Sequence, residues 1–255
     1  MSPPEQPPPD APAHSGADRL LDEGLRSLGR WDPAAAALLR RRPDTRRLLN
    51  TYIEEIERFN PAYGLVAVKN REELVIRHIL DSLAPLGIIA RLLGEQPAGN
   101  NAHSFTIADA GSGAGLPGIP LAIVLREASF TLIERTGRRA GFLRGALAVL
   151  GLSAVTVKEE ELEQTARDPA AAGSFDLVVF RAFRPLEGPI LRGLLALLRP
   201  GGVLAAYKGR KDRVTAEMAA AEKSGAGPWE AVPLRVPFLD EERHLALLRP
   251  PHPCR

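Results

Sequence analysis

The sequence predicts an α/β protein: a doubly wound, mostly parallel sheet carrying a helical extension on its N-terminal side. Three observations point there. Beyond residue 104, short apolar runs alternate with helical patterns, the order that yields parallel strands joined by crossover helices. The first run, Phe105-Thr106-Ile107-Ala108, passes through Asp109 into Gly111-Ser112-Gly113-Ala114-Gly115 and then into the helical pattern Leu121, Ala122, Ile123 and Leu125. A strand, a glycine-rich turn and a helix in that order form a nucleotide-binding turn, where bare backbone approaches a ligand and helix N–H groups point at it. Residues 17–93, by contrast, carry helical periodicity only.

The 255 residues suffice for one sizeable α/β domain and an extension, and 45% hydrophobic with 25% charged residues is an ordinary globular balance. No apolar run approaches the ~18–20 residues of a membrane helix. The N-terminus lacks the basic-then-apolar pattern of a secretory signal, so the expected location is cytoplasmic. The single cysteine, Cys254, offers neither a disulfide framework nor a cysteine metal site, and no metal is expected. A net charge of +2 permits a polyanionic partner without requiring one. Only five of the 33 basic residues are lysines; in so Ala-, Pro- and Gly-rich a chain, that arginine bias is not itself a sign of RNA binding.

The elements follow in order. Residues 1–16 are proline-rich, with almost no aliphatic side chains, and are expected to be an unstructured tail. In the helical extension (17–93), Leu20, Leu21, Leu25 and Leu28 recur at helical spacing, and Asp32-Pro33 reads as an N-cap followed by a first-turn proline. Leu48, Leu49, Tyr52, Ile53, Ile56 and Phe59 mark a second amphipathic helix, and Leu74, Val75, His78, Ile79 and Leu83 a third. Arg40 to Arg47 is the densest positive cluster, read either as a solvated turn between helices or as an edge that contacts phosphates. Residues 94–104 form a linker. The main domain (105–250) then shows strands near 105–109, 130–134, 154–158, 175–180 and 202–207, with helices near 118–126, 137–149 and 186–198. Trp229–Val236 and Arg243–Leu248 are separated by too short a segment for a crossover helix and should pair antiparallel.

The turn narrows the ligand. A dinucleotide fingerprint wants a third glycine where Leu116 stands, and a carboxylate at Asp109 would repel a pyrophosphate. Asp109 suits a ligand with a positive ammonium group and no phosphate, as S-adenosylmethionine has. Glu134, ending the next strand about twenty residues on, sits where an acid accepts hydrogen bonds from ribose hydroxyls. Five alternating strands with a terminal antiparallel pair is the layout of a Rossmann-like class I S-adenosylmethionine-dependent methyltransferase.

The longer pattern is more specific. Arg77-His78-Ile79-Leu80-Asp81-Ser82, Gly113-Ala114-Gly115-Leu116-Pro117-Gly118-Ile119-Pro120-Leu121, Phe142-Leu143, Phe175-Asp176, Arg181-Ala182-Phe183, Lys208-Gly209 and Arg243-His244-Leu245 occur in this order. Over roughly residues 48–249 the chain resembles the bacterial small-subunit ribosomal RNA methyltransferase G family. The resemblance implies methyl transfer from S-adenosylmethionine to N7 of one guanosine in the 530 loop of 16S rRNA, with that RNA or the small ribosomal subunit as partner; the chain is expected to be a monomer. It implies a cofactor site of Asp109, Gly111, Ser112, Gly113, Gly115, Leu116, Glu134 and Arg181, with Glu161 and Leu162 beside the adenine. Guanine N7 already has an in-plane lone pair, so Arg181 and Lys208 are expected to position substrate and no general base is expected. Arg138, Arg139 and His78 are candidates for RNA contact. The two arginines otherwise read as exposed helical residues, and His78 as a core histidine partnered by Asp81 or Ser82.

The chain departs from the family pattern twice. Gly64-Leu65-Val66 stands where most members carry Asn-Leu-Thr, and Glu161-Leu162-Glu163-Gln164 where they carry an Arg-x-Glu-Glu-like segment. Two other functions fit such departures: a cofactor- and RNA-binding protein of ribosome assembly without transfer activity, or a methyltransferase for a different RNA or a small molecule.

Overall fold

Asp32 caps the second helix as its position before Pro33 predicts, accepting from the backbone N–H groups of Ala34 and Ala35 at 2.9 and 3.4 Å. The structure, a computed structural model, describes residues 16–94, 104–181 and 186–251. Residues 1–15 of the expected tail, 95–103 of the linker, Ala182-Phe183 and Cys254 lie outside the described residues.

The extension comprises α1 (Gly16–Trp31), α2 (Pro33–Arg41) and α3 (Thr45–Tyr63), followed by α4 (Arg71–Leu74), a π-helical segment (Val75–Leu80), α5 (Asp81–Leu83) and α6 (Leu86–Gly94). The sheet then alternates as expected: β1 (Thr106–Ala110), α7 (Gly118–Val124), β2 (Ser129–Ile133), α8 (Gly137–Leu150), β3 (Val155–Lys158), the short α9 (Leu162–Thr165), β4 (Phe175–Arg181), α10 (Gly188–Leu197) and β5 (Leu198–Lys208). Two helices go beyond the sequence expectation: the short α9, and α11 (Lys211–Lys223), which precedes the antiparallel pair β6 (Trp229–Leu234) and β7 (Arg243–Leu248). The signal of α11 is present in the sequence, since Val214, Met218 and Ala221, spaced for one helix face, are its buried residues.

The seven strands lie in the order β3-β2-β1-β4-β5-β7-β6. β1 to β5 pair in parallel, and β7 runs antiparallel to both β5 and β6. Strand order reverses between β1 and β4, the switch point beyond whose carboxyl ends open α/β sheets bind their ligands. The period-two alternation of side chains divides the core. Leu177, Val179, Ala205 and Tyr207 face the extension with α7 and α8, whereas Val178, Phe180, Leu204 and Ala206 face α10 and α11. The extension thus shares one continuous hydrophobic core with a face of the sheet.

Candidate active site

The backbone N–H groups of Gly111, Ser112, Gly113, Gly115 and Leu116 in the glycine turn are all used inside the protein. Gly111 and Ser112 donate to the Ile133 carbonyl, Gly113 donates to Glu134 Oε2 at 2.9 Å, and Gly115 and Leu116 donate back to the Ser112 carbonyl. These donors fasten the turn to β2 and to itself. What the turn offers a ligand is open glycine surface. Gly113, at φ 58°, has nothing but the Gly111 carbonyl within 4 Å of where a Cβ would stand. Gly115 has the opposite reason for being glycine: at φ 91°, a Cβ would lie 2.6 Å from the Ile119 side chain and 2.9 Å from that of Leu143.

Asp109 lies beneath this turn. It is fully buried, its Oδ2 accepts from the Gly118 N–H at 2.9 Å, and its Oδ1 has no hydrogen-bond partner among the described residues. Burial, opposed by the Gly118 bond and the Arg181 charge, pushes its carboxyl up to about 7. It is absent from the walls of the cavity. The placement of Asp109 against a ligand ammonium is therefore corrected to a residue that shapes the turn and caps α7.

A cavity of about 650 Å³ opens at the switch point, floored by Gly111, Ser112, Gly113 and Leu116. A smaller compartment of about 230 Å³ adjoins it, with Gly111 and Arg139 common to both, and Glu134, Glu161 and Leu162 in its wall. Glu134 stands at the end of β2 as predicted. Each of its oxygens accepts one backbone N–H, from Gly113 and from Thr136 at 2.8 Å, and retains a second acceptor site. Glu161 caps α9 through a capping box with Gln164 and pairs with Arg135 at 3.1 Å, while Leu162 is buried. Arg139 stands at the junction of the compartments; Arg138 is exposed outside both.

The helical extension supplies the far wall of the larger cavity. Arg181, from the end of β4, donates to the Arg77 carbonyl and to Asp81 Oδ2, both at 3.0 Å, and lies 2.9 Å from His78 Nδ1. Arginine only donates, so His78 Nδ1 accepts and the ring carries its proton on Nε2. Burial and the Arg181 charge push His78 down to about 4, which leaves it neutral near pH 7. The histidine is partly buried as expected, but its partner is Arg181 rather than Asp81 or Ser82, whose hydroxyl bonds the His78 carbonyl instead. Lys208 lines the cavity too, with its ammonium on Glu217 at 2.8 Å and 5.2 Å from the centre of the Phe180 ring.

Four residues that sequence reasoning leaves out of the site complete it. Asp81 bridges Arg181 and Arg243, the latter through Nε at 3.2 Å. Tyr207 donates its phenol to the Ser82 carbonyl at 2.9 Å, and Tyr52 donates to the Ala114 carbonyl in the glycine turn at 2.5 Å. The spacing of Arg77, His78 and Asp81 on one helix is the available signal; the phenols give none, since each looks like a core aromatic.

The model of the rRNA small subunit methyltransferase G family matches residues 45–246. The chain belongs to this family. Proteins named ribosomal RNA small subunit methyltransferase G are similar to it throughout: that of Treponema denticola is 36% identical over 91% of this chain and 94% of its own, and that of Stenotrophomonas maltophilia 37% identical over 94% and 98%. Among solved structures, a putative S-adenosyl-L-methionine-dependent methyltransferase from Methanococcus maripaludis superposes with a TM-score of 0.53 at 14% identity, covering 80% of this chain and 94% of its own. A putative O-methyltransferase from Klebsiella pneumoniae gives 0.51 at 19%, covering 88% and 99%. These likenesses fix the fold as class I methyltransferase, and the cofactor of this family member is S-adenosylmethionine. The donor set fits such a group: acceptor capacity at Glu134 for hydroxyls, an apolar wall at Leu162, and a glycine floor with no donors held out for a phosphate.

The Gly64 departure has a local reason. Gly64 closes α3 at φ 57°, ψ 51°, the left-handed conformation that glycine and asparagine both favour at a helix end, and Leu65 and Val66 beside it line the cavity.

Proposed function

We propose that the protein transfers a methyl group from S-adenosylmethionine to N7 of a guanosine in the 530 loop of 16S rRNA. The observation that carries this reading is the charge of the larger cavity. Arg77, Arg139, Arg181, Lys208 and Arg243 line it, four of them held in place by carboxylates (Asp81 on Arg181 and Arg243, Glu241 on Arg77, Glu217 on Lys208), a wall of fixed cations suited to phosphates on either side of an extruded base. In this reading Glu134 accepts the ribose hydroxyls, Leu162 packs against the adenine, and the backbone of Gly111–Gly113 lies along the reacting end.

When bound, S-adenosylmethionine supplies a methyl group already activated on a sulfonium. In this reading the N7 lone pair would bond the methyl carbon as the carbon–sulfur bond breaks with its electron pair going to sulfur, and the positive charge would pass to the base. No proton moves. The chain's residues have to orient the base and exclude water. Arg181 is held rigidly enough for that by Arg77, His78 and Asp81, and its planar fork suits the O6 edge or a flanking phosphate while leaving N7 open. His78 is occupied at Nδ1 and holds its proton on Nε2, so it serves as a donor and not as a base.

The test is transfer of labelled methyl from S-adenosylmethionine to small ribosomal subunits lacking the 530-loop modification, mapped by cleavage at N7-methylguanosine. One labelled guanosine in that loop is expected. Label elsewhere, or none from protein that still binds the cofactor, overturns the reading.

A further inference from the structure

At the opposite end of α3 from the cavity, a second groove of about 570 Å³ lies among α1, α2 and the start of α3. Leu25 and Leu39 lie on its floor, and five arginines, Arg26, Arg30, Arg40, Arg42 and Arg46, line it. Among the described residues only the last two are tied to carboxylates, Arg42 to Glu127 and Arg46 to Asp22. Arg26 and Arg40 are exposed and make no ion pair among the described residues, and Arg30 reaches only the Ser27 hydroxyl, at 2.8 Å. The single carboxylate on the groove wall, Asp22, is the one neutralised by Arg46. An apolar floor under unneutralised guanidinium groups matches a nucleic-acid strand, with phosphates on the arginines and a base face or sugar on the leucines.

We infer that this groove is a second RNA-binding surface, engaging the rRNA backbone away from the reacting guanosine. The inference rests on rRNA being the substrate, and it adds which part of that rRNA is held. The groove takes in Thr45 at the start of α3, and the cavity takes in Leu65 just past its end. At 1.5 Å per residue the helix between them is about 27 Å long. That carries the groove well beyond the nucleotides flanking a base held in the cavity. The few loop nucleotides around the reacting guanosine do not reach both sites; RNA folded beyond the loop does. The protein therefore draws affinity from 16S rRNA outside the 530 loop.

The experiment compares the full chain with Arg26→Gln/Arg30→Gln/Arg40→Gln, by filter binding between about 50 and 200 mM salt, a range over which the neutralisation of several phosphates registers strongly. The probes are protein-free 16S rRNA, assembled small subunits and a 530 stem-loop oligonucleotide. The triple variant is expected to bind 16S rRNA and subunits at least tenfold more weakly, with a salt slope lower by about 0.9 for each phosphate that is no longer neutralised. Binding of the stem-loop and of S-adenosylmethionine should not change, and the corresponding Lys variant should recover most of the affinity. Unchanged affinity and slope on 16S rRNA overturn the inference. Weakening on assembled subunits alone overturns it as well, assigning the groove to an acidic protein of the particle. Failure of the functional reading shows separately, as absence of methyl transfer by the unmodified chain while its rRNA binding persists.

Discussion

Arg181 at the end of β4 and Asp81 at the start of α5 form a buried ion pair at 3.0 Å, 100 residues apart in sequence, across the wall of the active-site cavity. The Asp81 side chain is 6% exposed and takes Arg243 on its other oxygen, so one carboxylate sets the position of two cations from two strands.

Replacing Asp81 with Asn removes the countercharge and leaves Arg181 and Arg243 facing each other. Removal of one partner from a buried pair typically costs about 3–5 kcal/mol. Urea unfolding of Asp81→Asn should show a destabilisation near the lower end of that range, because the amide oxygen still accepts one bond. Methyl transfer measured at a temperature where the variant stays folded should fall at least tenfold; full activity there would make the pair structural only.

Tyr52→Phe deletes one oxygen and leaves the Ala114 carbonyl without the donor it has from α3. A buried unsatisfied acceptor costs about 1–3 kcal/mol. Because the bond ends on the glycine turn, calorimetry should also show weaker binding of S-adenosylmethionine. Burial raises the Tyr52 phenol well above its ordinary 10, so no change in this bond is expected anywhere between about pH 6 and 9.

Asp109 gives a signed pH dependence. Its carboxyl titrates near 7 in the folded protein and near 3.8 when unfolded, so between those values the folded state binds the extra proton. The stability this confers is full below about pH 4 and is lost as pH rises towards 7, by an amount on the order of a few kcal/mol. Asp109→Asn is uncharged throughout and keeps an acceptor for Gly118. Unfolding free energies at about pH 5 and pH 8 should therefore show the variant gaining on the unmodified chain at the higher pH. A constant difference would refute the assignment.

Glu134→Gln keeps one oxygen for either Gly113 or Thr136 and places an NH2 against the other. If this carboxylate accepts ribose hydroxyls as well, the cofactor dissociation constant should rise tenfold or more, about 1.4 kcal/mol, by calorimetry. An unchanged constant would move the ribose elsewhere.

The sheet is legible in the sequence because its signals are local: apolar runs of strand length, turn glycines, and Glu134 at the end of a strand. The helix α11 has a weaker but readable pattern. The π-helical turn at Val75–Leu80 has none, since its widened backbone leaves no mark on residue spacing. The site divides along the same line. Glu134, Leu162 and Arg181 can be placed because their position on the sheet nearly determines where their side chains emerge. Asp109 falls at the right turn but on the wrong side of it, because sequence order cannot tell a carboxylate that lines a cavity from one that lies beneath its floor. The ties of Tyr52, Tyr207 and Asp81 join segments more than 60 residues apart and exist only after the extension has packed against the sheet.

The glycine turn, with five of its N–H groups already bonded within the protein, is a finished object before any ligand arrives. Nothing in it waits to be completed. Spent and fresh donor molecules can then trade places without the floor beneath them rearranging.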